Sequence, residues 1–249
     1  MSVLPTLRNW RDIQTLTLVS LYFVLVWVLW NKEAQLGWWL VPTFLATCWW
    51  SFVGAATTHN TMHCRVFKER WANKLWQLVL TLTYGHPVST YVPGHNLSHH
   101  KFTQLRKDIM RTQKLQYKHN FLNLVLFQPT VSIDVLKSDL KFIRMQQLAG
   151  RPFVDQVMRE LVFLVLVMVS LAYIDLRKFF FFFHVPHLFG QWAIVTMNLL
   201  QHDGCDTVPE GVTGNFNHSR NFTGFLLNFL TMNNGYHSIH HMKPVRLHV

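Results

Sequence analysis

The chain is expected to be an all-α integral membrane protein with about four transmembrane helices. Three observations predict this. Half of its 249 residues are hydrophobic and only 14% are charged, where soluble domains carry roughly 25%. Long apolar runs recur along the chain, and ten tryptophans and twenty phenylalanines enrich it in aromatics. Histidines gather in three clusters outside those runs: His59/His63, His95/His99/His100 and His237/His240/His241. The formal net charge of +11 points to a basic face against anionic lipid. No basic helix motif accompanies that charge, so no nucleic-acid partner is expected.

Met1 to Arg11 is polar and basic. Thr15–Trp30 is an uncharged apolar run, too long and aromatic for a signal-peptide core, and gives the first span, 15–30. Gly37–Thr57 gives the second, 37–57, with Trp38 and Trp39 as an interfacial belt and Pro42 near the helix start, where proline is tolerated. This span runs into His59. Arg65, Lys68, Arg70 and Lys74 follow at once, which by the positive-inside rule marks the cytoplasmic end.

Residues 72–92 are moderately apolar but contain His86 and Pro87, with Pro93 just beyond, and are expected to be interfacial or re-entrant. A crossing there would put the first two clusters on opposite faces. His86 is expected to be structural. The chain then turns basic, with Lys101, Arg106, Lys107, Arg111, Lys114 and Lys118. Such a run is ordinarily a solvated face. Here it suits anionic headgroups and, equally, an acidic electron-donor protein. Phe121–Val135, interrupted by Pro129 and Asp134, is expected to be an interfacial helix. Leu161–Ile174 and Phe179–Leu200 are the third and fourth spans, 161–174 and 179–200, around the polar turn Asp175–Lys178. Two crossings return the chain to the face it left, so all three clusters share one side. The whole chain, 1–249, is expected to form a single domain. His184 and His187 lie near the far end of the fourth span, too distant to be ligands, and as polar groups inside a membrane could line a substrate path.

On a helix, residues three or four apart share a face. His59 and His63 are four apart, as are His95 and His99; His237 precedes His240 by three and His241 by four. Each cluster can present two or three imidazoles to one point, the arrangement of metal ligands. Eight histidines exceed one coordination sphere, so two ions are expected. Of the three cysteines, no two form a Cys-x-x-Cys pair, and Asn60 after His59 breaks the His-Glu-x-x-His pattern. Imidazoles alone leave zinc, copper, iron and nickel open. Asn198 and His202, four apart at the end of the fourth span, add a ninth ligand and an amide placed to hold a metal-bound water; His218 is the rival ninth ligand. Asp203 and Asp206 are candidates to orient imidazoles.

His59-x-x-x-His63, His95-x-x-x-His99-His100 and His237-x-x-His240-His241 resemble the three histidine boxes of the membrane fatty acid desaturase superfamily in order, spacing and topology. The resemblance covers the chain from about the second span to His241. It implies four transmembrane helices capped by a cytosolic histidine-rich helical domain. It also implies a di-iron centre on His59, His63, His95, His99, His100, His202, His237, His240 and His241, with no catalytic residue beyond the metal ligands. The pair Asn198-x-x-x-His202 resembles the family's additional ligand motif. The run Gly94–Asp108 looks most like acyl-lipid desaturases. The implied function is oxygen-dependent introduction of a double bond into the fatty acyl chain of a lipid; the alternative is a lipid or carotenoid hydroxylase or ketolase on the same di-iron centre. O2 is the co-substrate. No His-Pro-Gly-Gly signature appears, so the electrons are expected from a separate ferredoxin or b-type cytochrome. The third box begins with His237 and not glutamine, which argues against a front-end desaturase. The expected place is a multi-pass membrane protein with its catalytic face cytoplasmic or stromal.

Overall fold

The computed structural model describes residues 4–207 and 216–243. Among them the regular elements are helices, joined by a single isolated bridge between Leu7 and Phe67. Helix α1 is Asp12–Leu36 and α2 is Leu40–His63. Between them Gly37 takes φ +50°, open to glycine without strain, and the chain doubles back. The reversal is visible at the other end too. Arg8 N–H donates to Val66 O at 2.8 Å, so the segment before α1 lies beside the segment after α2. Leu18, Val19, Tyr22 and Leu29 of α1 are buried, as are Cys48, Phe52, Val53 and Ala56 of α2.

Helix α3, Arg70–Tyr84, is amphipathic: Ala72, Trp76 and Leu80 are buried while Trp71 and Leu75 are exposed. It ends at Gly85, whose φ of +71° makes a left-handed cap. Helix α4, Asn120–Leu148, contains Pro129 and continues 13 residues beyond the expected stop at Val135. Asp134, which looked like an interruption, sits at the surface and pairs with Lys114 at 2.5 Å. Helix α5 is Phe153–Ile174, and the short turn Leu176–Lys178 is closed by the Asp175 carboxylate accepting from Lys178 N–H at 2.9 Å. A π-wound stretch, Phe179–His184, leads into α6, Val185–His202. Helices α7, Phe225–Leu230, and α8, His237–Met242, close the described chain.

Among the described residues, three stretches are long and apolar enough to cross a membrane: Asp12–His63, Phe153–Ile174 and Leu176–His202. The first spans 52 residues and contains both of the first two expected spans. The pair at His59 and His63 lies within the last turns of α2 and not beyond it.

By internal contacts the chain forms two units, Met1–Val88 with Gln156–Gln191, and Ser89–Asp155 with Trp192–Val249. In the first, Gly54 and Gly190 allow close approach: an added Cβ would lie 2.7 Å from Thr83 Oγ1 and 2.5 Å from Ser51 Oγ respectively. Glu33 and Arg177 pair through both oxygens at 2.6 Å, which ties the end of α1 to the turn after α5. His187 is buried, 2.8 Å from Tyr22 Oη and 2.7 Å from Leu82 O, and so cross-links α1, α3 and α6. In the second unit, Phe127 and Val131 of α4 pack on Leu199 of α6, and Trp192 Nε1 donates to Leu124 O at 3.2 Å. That packing fixes the last two turns of α6, which carry Asn198 and His202.

Candidate metal centre

The second unit gathers seven of the nine expected ligands. They sort into two groups. His99, His202, His237 and His241 form one, with one ligand atom from each lying within 4.8 Å of all the others. His202 and His237 bring their Nε2 atoms to 2.9 Å, and His237 and His241 to 3.1 Å. In the other group His100 Nε2 lies 3.0 Å from His95 Nε2 and 3.0 Å from His240 Nε2. Nitrogens at right angles on bonds of about 2.1 Å to one ion would be separated by about 3 Å. Both groups therefore fit imidazole coordination of an ion. His100 and His241 stack with centroids 4.5 Å apart, so the groups are neighbours.

The division of the second box comes from backbone winding. Val92–His99 is a π-helix, in which His100 N–H reaches back five residues to His95 O. The wider turn sets His95 beside His100, centroids 4.5 Å apart, and leaves His99 5.6 Å away from His95. The four-residue face expected from α-helical spacing is thus replaced: His95 and His100 serve one group, His99 the other. The third box is α-helical and divides by position. His237 and His241, one turn apart, join the first group, while His240 joins the second.

The turn leading into α8 is heavily specified. Asn228 donates to Phe222 O at 2.7 Å and accepts from Gly235 N–H at 3.1 Å. Met232 and Asn233 take positive φ, and Gly235 approaches Phe222 O so closely that a Cβ would overlap it. Ser238 N–H is capped by Asn221 Oδ1 at 2.9 Å. These contacts aim the third box.

Hydrogen bonds behind the imidazoles set which nitrogen faces inward. Asp108 Oδ2 accepts from His99 Nδ1 at 2.9 Å and also from Gln104 N–H, while Met110 N–H donates to Oδ1. Burial pushes the Asp108 carboxyl up, but the His99 ring and these two backbone donors outweigh it and hold the group at about 2. His99 Nε2 is left buried with no hydrogen-bond partner. His202 Nδ1 donates to His218 O at 2.8 Å, so its Nε2 faces His237. Thr103 Oγ1 lies 3.4 Å from His241 Nδ1. Burial and the neighbouring imidazoles, His237 and His100 first, push His241 well below the usual histidine range. It is held neutral, the form that ligates a metal. Asn198 Nδ2 donates to Met110 O at 2.6 Å, and its Oδ1 is buried without a partner.

His59 and His63 lie one turn apart in the other unit, ring centroids 5.3 Å apart, with Asn60 Oδ1 3.0 Å from His59 Nδ1. His218 is adjacent to the first group, 5.3 Å from His241 by ring centroids, but outside it. His86 sits near Pro87 O at 3.3 Å.

Asp108 escaped the sequence reading, which looked to Asp203 and Asp206. The available signal was a lone acid nine residues after His99 in an otherwise cationic segment. No curated protein matches the chain. The sequence model of one family, fatty acid desaturase, matches residues 36–248, which includes every histidine described above. With most of its length matched, the chain belongs to the fatty acid desaturase family.

Proposed function

We propose that the chain is a di-iron, oxygen-dependent desaturase that introduces a double bond into a fatty acyl chain of a lipid. The observation that carries this is the division of seven histidines into two adjacent imidazole groups within one unit. In this reading His99, His202, His237 and His241 hold one iron. His95, His100 and His240 hold the second, and the resemblance counts His59 and His63 among the ligands as well. All-imidazole ligation also suits other transition metals. The choice of iron follows from the family and from the task, since an unactivated methylene offers no acid, base or leaving group. Bound reduced iron would supply the one-electron chemistry with O2 that removes such hydrogens.

The chain's own residues hold protons in defined places. Asp108 keeps the His99 proton on Nδ1, and His218 O does the same for His202. Asn198 Oδ1, unpartnered and buried, is positioned to accept from a metal-bound water. The balance is O2, two electrons and two protons from outside, and two hydrogens from the acyl chain, giving a double bond and two waters. The electrons come from a separate ferredoxin or b-type cytochrome.

Four crossings fit the helices. At 1.5 Å per residue a straight helix of 52 residues would be about 78 Å long, more than twice a bilayer core of about 30 Å. The reversal at Gly37 makes it two crossings. The Glu33–Arg177 pair then belongs to the far side, and the basic segment after α2 to the cytoplasmic or stromal side.

The test is a mass-spectrometric lipid profile in a host rich in saturated chains with a co-expressed donor, using His99→Ala as control. A new lipid lighter by two hydrogens, with the intact chain only, is expected. A product heavier by one oxygen would make the enzyme a hydroxylase, and full activity of His99→Ala would remove the di-iron assignment.

A further inference from the structure

We propose that the groove between the start of α4 and the end of α6 binds the headgroup of a zwitterionic phospholipid. The inference goes beyond the functional reading above and does not depend on metal chemistry. The groove lies within the second unit and has a volume of about 400 Å³. Small-ligand sites have volumes of roughly 300–1,000 Å³. Its lining is mixed. Phe121 and Leu124 come from α4, Leu199 and Leu200 from α6, and Asp203 and Arg220 add one charge of each sign.

Arg220 is anchored at the groove. Its backbone N–H donates to Gln201 O at 2.7 Å and its Nη1 to Leu200 O at 3.3 Å, which fastens the exposed guanidinium to the last turn of α6. Gly204, at φ +70°, leaves room beside it: an added Cβ would lie 3.4 Å from Nη2. A guanidinium carries several donors in a planar fork, and those not spent on Leu200 O suit a phosphate, which such a fork meets bidentately. Asp203 is half-buried, and its carboxylate has no hydrogen-bond or ion-pair partner among the described residues. Opposite charges that share a groove without pairing with each other suit a ligand that carries both. A phosphate linked to an ammonium is such a ligand: the phosphate goes to Arg220 and the ammonium to Asp203. Exposed Phe121 offers an aromatic face where the ammonium is methylated. An anionic headgroup would instead bring its net charge against the Asp203 carboxylate, and like charges set side by side cost affinity.

The surroundings favour a lipid over a soluble phosphoester. Helix α6 ends a stretch long and apolar enough to cross a membrane, and the groove lies at that end. Phe121 and Leu200 are exposed beside the two charges. Phe225, Leu226 and Phe229 of α7, five to nine residues after Arg220, are exposed as well. Charges at a helix end next to exposed apolar side chains match the boundary between headgroups and acyl chains. Leu199 and Leu200 lie between Asn198 and His202, so a lipid held here rests against the turn that carries them.

The test uses the full chain, purified in a mild detergent, stripped of lipid and mixed with equal amounts of dioleoyl phosphatidylethanolamine, phosphatidylcholine and phosphatidylglycerol. Native mass spectrometry counts the lipid retained. The native chain should keep the two zwitterionic lipids in preference to phosphatidylglycerol. Arg220→Gln should lower that retention by about tenfold, the cost of one charged hydrogen bond. Asp203→Asn should reverse the preference in favour of phosphatidylglycerol, a change that loss of packing alone would not produce. Glycerophosphoethanolamine and inorganic phosphate, which lack acyl chains, should not displace bound lipid at the same concentration. Equal retention of the three lipids by the native chain overturns the proposal, as does a native preference for phosphatidylglycerol. Displacement by the chain-free compounds makes the groove a site for soluble phosphates and also overturns it. Should Arg220→Gln fail to fold, as read by its Tm, Asp203→Asn decides alone: an unchanged preference overturns the proposal.

Discussion

Asp108 accepts a hydrogen bond from His99 across 2.9 Å, with the two side chains 0% and 2% exposed. One carboxylate thereby fixes the ring orientation of a candidate ligand and ties it to the loop that carries Gln104 and Met110. Replacement by asparagine keeps the shape and removes the charge. Asp108→Asn is expected to insert normally and to lose metal affinity by about 10- to 100-fold, the usual cost of removing such a partner. Iron per chain, measured by elemental analysis after dialysis against a graded chelator, checks this. Undiminished retention would mean that the carboxylate is packing only.

The π-wound second box leads to a distinct expectation. His95 and His99 belong to different groups. His95→Ala and His99→Ala should each weaken a different iron site, giving different residual Mössbauer spectra. Identical spectra from the two variants would show that the box serves one site.

Gly85 has φ +71°, and a Cβ there would lie 2.5 Å from the His187 ring. The left-handed conformation alone costs alanine about 1 kcal/mol, and overpacking adds about 1–3 kcal/mol. Gly85→Ala should lower the Tm of the solubilised protein by several degrees, while iron content in the surviving folded fraction stays the same. An unchanged Tm would mean that α3 and α6 separate freely at this point.

Asp139, buried on α4, titrates far from its ordinary value because burial raises its carboxyl to about 7. In the unfolded chain the group titrates near 3.9. The folded state therefore holds the proton over a range where the unfolded state has released it, and stability falls as pH rises from about 4 to 7. The penalty, about 4 kcal/mol, is absent below that window and complete above it. Asp139→Asn should flatten the dependence, with its largest gain in Tm near pH 8. Parallel pH profiles for the two chains would sink this assignment.

The candidate ligands could be picked out in the sequence because imidazole spacing is a local property that survives any tertiary arrangement. Their sharing was not. Whether His95 faces His99 or His100 depends on a backbone hydrogen bond to the fifth residue, and side-chain order does not reveal it. Asp108 was missed for a similar reason, since a turn through Gln104, at φ +64°, brings it back onto His99. The apolar runs found the long helices but made them too short. Helix α5 begins at Phe153 because Asp155 and Arg159 can face outward, while buried Glu160 accepts from Gln156 at 3.0 Å. Polar residues mark the end of an apolar stretch, and a helix ends only where capping or backbone geometry stops it.

The division of the second and third boxes has a consequence for assembly. Each box sends ligands to both groups, so neither group can be set in place without drawing in backbone that also carries the other's ligands. An ion captured by His99, His237 and His241 would organise the segments bearing His95, His100 and His240 before a second ion arrives. Loading of the intact chain is then cooperative: filling one group should raise the affinity of the other.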